Sequence, residues 1–87
     1  MTPTRGELHK ALAAAGSAHH EFETSYLHGE RDELWSGWYA AYVLGRLGDF
    51  TEPTRLARWL EAVSSEPDWF ENAARDVAAK LEALGES

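Results

Sequence analysis

Two residues four apart, His19 and Glu23, stand out chemically in a segment otherwise patterned for burial. At that spacing an imidazole and a carboxylate share one side of a helix, where they can pair directly or jointly face a water, a metal ion or a ligand. A paired carboxylate would fix the imidazole tautomer and favour its protonated form. His19 lies between Ala15 and Phe22 in a row where leucine would be the ordinary choice. Burial there demands a hydrogen-bond partner, because an unsatisfied buried polar group costs about 1–3 kcal/mol.

The second cluster is Trp35-Ser36-Gly37-Trp38-Tyr39-Ala40-Ala41-Tyr42. Trp35, Trp38 and Tyr42 share a helical face and Tyr39 extends it. Buried indole N–H and phenol O–H groups seek polar partners, and His19 with Glu23 is the obvious pair to receive them. The sequence therefore predicts a ligand site or polar network made of His19, Glu23, Trp35, Trp38, Tyr39 and Tyr42. If closed, it is a staple that specifies packing; if open to a cleft, it is a pocket.

Other chemistries find little material. Without cysteine the chain has no disulfide, thiolate metal site or cysteine nucleophile. The paired Glu-x-x-His elements of di-iron bundles are absent. His20-Glu21 would need a second histidine where Thr24 stands to match a zinc-protease helix, and His9, His20 and His28 are scattered. No serine sits in a glycine-rich elbow and no phosphate-binding glycine loop occurs. The expectation is a chain with no metal, no cofactor and no catalytic set, a binder rather than an enzyme.

Ala18-His19 with Phe22-Glu23, followed by Trp35, Trp38-Tyr39-Ala40 and Tyr42, resembles small bacterial helical proteins. Those carry A-H-x-x-aromatic-E and then W-x-x-W-Y-A-x-Y. The resemblance covers residues 8–47. It names no reaction and marks His19, Glu23 and Trp38 as the residues to follow.

The elements that must position these residues are helices. Leu8, Leu12, Ala15, His19, Phe22 and Tyr26 recur at spacings of four and three, predicting a first helix over 5–28 that Gly16-Ser17 would bend or split. His28 and Gly29 supply the cation and the left-handed residue that close a helix. Asp32 caps a second helix over 32–47, with Glu33 in its first turn. This helix is apolar on nearly every side and is expected to be the most buried. Its Gly37, Ala41, Gly45 and Gly48 form a strip without bulky side chains, suited to close approach by the alanines of helix one. Each glycine there costs about 1 kcal/mol of helix propensity, so packing or a ligand should offset it.

Thr51-Glu52-Pro53 and Ser65-Glu66-Pro67 read as hydroxyl-capped helix starts with an early proline, giving helices over 52–64 and 66–84. Leu56, Trp59, Leu60 and Val63 form the apolar face of one, and Phe70, Ala74, Val77, Leu81 and Leu84 that of the other. No segment alternates as a strand does, and the joints are short. The fold class is all-α, one compact domain of four helices over residues 1–87.

Fifteen acids against eight Lys and Arg give a net charge of -7 in 87 residues. Such a field repels phosphate backbones and anionic lipid heads, which argues against nucleic acid and membrane surfaces. The first residues, MTPTRGELHK, lack the apolar core of a signal peptide. The longest apolar run, Trp38–Leu44, is too short to span a bilayer. A cytoplasmic protein is expected. The leading reading is a protein-interaction or regulatory module that meets a protein partner or its own copy through a helical face. The alternative is a small-ligand protein or small enzyme with His19 and Glu23 as an acid–base pair beside Trp35, Trp38 and Tyr39.

Overall fold

The computed structural model describes residues 2–86. It contains helices α1 (Arg5–Tyr26), α2 (Trp35–Leu47), α3 (Pro53–Glu61) and α4 (Trp69–Glu86), with no strand among the described residues. Each helix packs on the next in sequence, and α4 returns to lie along α1, so the four close into a ring. The longest extent is 44 Å.

Helix α1 starts on a reciprocal capping box. Thr4 Oγ1 accepts the Glu7 N–H at 3.1 Å while Glu7 Oε1 accepts the Thr4 N–H at 2.9 Å, satisfying two backbone donors that the first turn leaves free. Its apolar row buries Leu8, Leu12, Ala15 and His19, then runs out of the core: Phe22 is half-buried and Tyr26 is 74% exposed. The helix ends at Tyr26, not His28. Both the Leu27 and Gly29 N–H groups turn back to the Glu23 carbonyl, with His28 and Gly29 at φ 54° and 85°. His28 is itself left-handed, a conformation that glycine adopts at lower cost.

The core is completed by Ala40, Val43 and Leu44 of α2, Leu56 and Leu60 of α3, and Ala73, Ala74, Val77 and Leu81 of α4. Sealing each of its larger aliphatic side chains contributes about 1.5–3 kcal/mol relative to exposure. Two polar ties hold neighbouring elements. Ser36 Oγ donates to Glu61 Oε2, joining α2 to α3. Buried Asn72 donates both amide protons, to the carbonyls of Ser64 and Glu66, each at 2.9 Å, and so fastens the α3–α4 joint to α4.

Helix starts depart from expectation where loop residues have competing partners. Helix α2 begins at Trp35; Asp32 Oδ1 caps the preceding turn through the Leu34 N–H at 2.9 Å. Helix α3 starts at Pro53, as its fixed φ favours, but Thr51 Oγ1 makes no cap and is buried without a partner. Helix α4 begins beyond Pro67 and is capped by Asp68, whose Oδ1 accepts the N–H groups of Phe70 and Glu71 at 3.0 and 3.3 Å, rather than by Ser65.

The glycines carry the largest correction. Gly37, Ala41, Gly45 and Gly48 are all exposed, and a Cβ on any of the three glycines would meet nothing within 4 Å. The small-residue strip therefore faces solvent, and α2 is not enclosed on every side. Close approach occurs instead at Gly16, in the middle of an unbroken α1. A Cβ there would stand 2.6 Å from Phe70 Cζ and 2.9 Å from Cε1, so the missing side chain seats the Phe70 ring of α4.

The two kinds of glycine should respond oppositely to alanine. Gly16→Ala should destabilise by about 1–3 kcal/mol, overpacking outweighing propensity, whereas Gly37→Ala should stabilise by about 0.5–1 kcal/mol. Urea unfolding followed by circular dichroism measures both, and a gain at Gly16 would contradict the close approach.

Candidate functional site

Helix α1 brings His19 to the level where α2 begins, and the connection between them, residues 27–34, folds back over it. The His19 side chain is 7% exposed. Its Nε2 lies 3.0 Å from Asp32 Oδ2, while Nδ1 is 3.9 Å from Glu23 Oε1, beyond hydrogen-bond reach. An ionised carboxylate only accepts, so the Nε2–H donates to Asp32. Glu23 acts on the loop: its Oε2 accepts the Asp32 backbone N–H at 2.8 Å. Asp32 Oδ1 in turn holds the Leu34 N–H. His19, Glu23 and Asp32 thus form a clasp that pins the loop to α1 and sets where α2 starts.

The His19 bond holds the Asp32 carboxyl below the usual carboxylate range; burial opposes this, and the Leu34 N–H and the imidazole charge add to it. Burial raises the Tyr39 phenol above its ordinary value, and the Glu23 carboxylate raises it further. Both shifts keep the ordinary neutral-pH forms, an aspartate and a phenol.

The six residues expected to form the site lie in one chain of contacts, in which Trp35 and Tyr42 reach His19 only through Tyr39 and Trp38. His19 sits between two rings, 5.0 Å from Trp38 and 5.1 Å from Tyr39 between centroids, both edge-on. Trp35 packs on Tyr39 at 5.6 Å, and Trp38 stacks on Tyr42 at 5.6 Å. The polar partner of the imidazole nevertheless differs from expectation. Among the described residues no tyrosine hydroxyl or indole N–H hydrogen-bonds His19; Asp32 does. Asp32 had a sufficient local reason to be there, as a cap, and nothing in its spacing from His19 signals a contact across a loop. Trp69 and Phe70 were also hidden: Trp69 meets Trp35 and Tyr39 at 5.7 Å each, carrying α4 into the same cluster.

This geometry limits the chemistry. General acid–base catalysis needs a ring nitrogen within hydrogen-bond reach of substrate. Here Nε2 is held by Asp32, Nδ1 faces Glu23 under the covering rings, and the nearest surface depressions are lined by Asp32, Phe22 and Trp38 rather than His19. The two carboxylates address opposite nitrogens, so they do not converge on one cation. Among the described residues no group of three or more His, Asp or Glu side chains is arranged to hold a metal ion.

Around the clasp the surface turns apolar. Leu34 is 78% and Tyr26 74% exposed, and between them lie half-buried Phe22 and Trp38 and the bare Gly37. No protein-family model, curated protein or solved structure matches the chain. Among the described residues no helix is long and apolar enough to cross a membrane.

Removing Asp32 should cost more than removing His19. Asp32→Ala strands a buried imidazole, at about 1–3 kcal/mol, whereas His19→Leu keeps the fold because the seam is apolar and Asp32 borders a depression that water reaches. Glu23→Ala, which frees one loop N–H, should fall between them.

The pH dependence has a definite sign. The folded Asp32 pKa lies below its unfolded value of about 3.8, so its stabilisation is complete above that pH and is lost as pH falls through the lower folded value. Acid titration of Asp32→Asn should show a shallower loss of stability below pH ~4 than the parent chain. Superimposable acid limbs would exclude the His19–Asp32 bond.

Proposed function

We propose that this chain is a non-enzymatic interaction or regulatory module that binds a protein partner through the face where α1 and α2 meet. The observation that carries the reading is the apolar surface beside the clasp. Leu34, Trp38, Phe22 and Tyr26 continue the aromatic cluster out of the core, next to an α2 face of Gly37, Ala41 and Gly45 that carries no charge. Contiguous apolar surface on a small chain marks an interaction site more often than an accident of packing. Aromatic anchors with a polar rim fit the composition of binding hot spots.

The clasp supports this reading by fixing the face. Because Asp32 and Leu34 belong to one turn held by His19 and Glu23, the exposed Leu34 is presented by a pinned backbone rather than a free loop. Binding then sacrifices less conformational entropy. The competing reading, a His19/Glu23 acid–base pair beside Trp35, Trp38 and Tyr39, has the buried and occupied imidazole against it. A cytoplasmic location and the likeness to small bacterial helical proteins belong to the same proposal.

A photo-crosslinking amino acid placed at Leu34 should capture a discrete partner in the native host, while the same group at exposed Lys80 on α4 should not. Equal labelling from both positions, or none from Leu34, would remove the α1–α2 face as the binding surface.

A further inference from the structure

Along the α1–α2 edge four aromatic rings run in series. Tyr26 lies 5.7 Å from Phe22, Phe22 lies 5.7 Å from Trp38, and Trp38 stacks on Tyr42 at 5.6 Å with 13° between planes. A depression of about 470 Å³ opens on one side of the Phe22–Trp38 pair, completed by Leu34, Gly37 and Asp32. A second, of about 350 Å³, opens on the other side and is lined by the same two rings together with Tyr26 and Glu21. The first hollow is mostly apolar with Asp32 in its wall, and the second is mixed, with Glu21 and Ser25 beside the rings.

The segment that lines them is acidic, while Arg46 of α2 reaches the Tyr42 hydroxyl at the far end of the ring series. Between residues 20 and 34 the chain carries Glu21, Glu23, Glu30, Asp32 and Glu33 against Arg31 alone, within a total of -7. Asp32 keeps accepting capacity after its bonds to His19 and Leu34, since each carboxylate oxygen has a second lone pair. Aromatic faces attract cations through their quadrupole, and a long basic side chain can lay its alkyl stem on apolar surface while its head meets a carboxylate. Anionic groups, by contrast, are repelled by the surrounding carboxylates, and two copies of a chain of charge -7 repel one another.

Building on the binding-face reading above, we propose that the groove between Phe22, Trp38 and Leu34 receives an arginine or lysine side chain from a partner polypeptide, with its cationic head at Asp32. Gly37 is the feature that opens the groove. Gly37 lines this groove and a Cβ there meets nothing within 4 Å, so a long side chain at this position has room to reach the space the ligand takes without disturbing the core. The propensity sacrificed at Gly37 has no return inside the fold, and keeping this groove clear supplies one.

The test uses the purified, isotope-labelled chain and a short blocked peptide of glycine, leucine and two arginines, followed by NMR. The matched control carries citrulline in place of arginine, alike in shape but uncharged. The arginine peptide should shift the Trp38 indole and the Leu34 and Gly37 amides saturably, and the citrulline peptide should bind about tenfold more weakly or worse. Gly37→Leu should fold at least as stably as the parent and lose the binding. Equal affinity for the two peptides, shifts centred on Trp59 or Trp69, or no saturable shift with arginine would each overturn the cation assignment. Crosslinking from Leu34 would then still report on the binding face; failure there as well would overturn both.

Discussion

The contact on which the rest of the site depends is the bond from the His19 imidazole to Asp32, reinforced by Glu23 on the backbone of the same loop. A buried imidazole without a partner would be among the most costly features in so small a core. Supplying that partner from the loop after α1, rather than from α1 itself, turns a local requirement into a tertiary constraint. The loop must return to α1 at Asp32, and α2 must begin three residues later. The positions of Trp38 and Tyr39 against the ring, and of Trp35 against Tyr39, follow from that return.

The clasp also divides the aromatic residues by function. On its inner side Tyr39, Trp35, Trp69 and Phe70 link α2 to α4, and the bare Gly16 of α1 lets Phe70 approach closely enough to complete the cluster. On its outer side Trp38, Phe22, Tyr26 and Leu34 extend the same cluster into solvent. The ring system is thus half core and half surface. That combination is what supports the interaction module proposed above.

A catalytic role would need the opposite arrangement, an imidazole with one nitrogen free and facing a cavity. In this fold the hollows next to the clasp touch the rings, and one of them touches the Asp32 carboxylate, but neither is lined by His19. Asp32 is the hinge of both arguments: it occupies the histidine on one side and lends negative charge to the apolar groove on the other. The structural role and the proposed recognition role therefore fall on one carboxylate.

Periodicity in the sequence was sufficient for the helical class and for most of the core, because helix formation and apolar burial depend on spacings of three and four that a linear chain displays directly. Leu8, Leu12, Ala15 and His19 fell on one buried row, and Ala74, Val77 and Leu81 on another. The association of His19 with Trp38 and Tyr39 was expected on another ground, the need of buried indole and phenol groups for polar partners, and the rings meet the imidazole edge-on without bonding it. Contacts between elements were not. A strip of glycines shows that a helix can be approached closely but not whether anything approaches it, so Gly37 and Gly45 looked like packing sites and face solvent, while the isolated Gly16 looked like a break and seats Phe70. Asp32 carries identical chemistry as a cap and as the acceptor for an imidazole. Only the path of the loop, fixed by the docking of α2 on α1, decides that it is both.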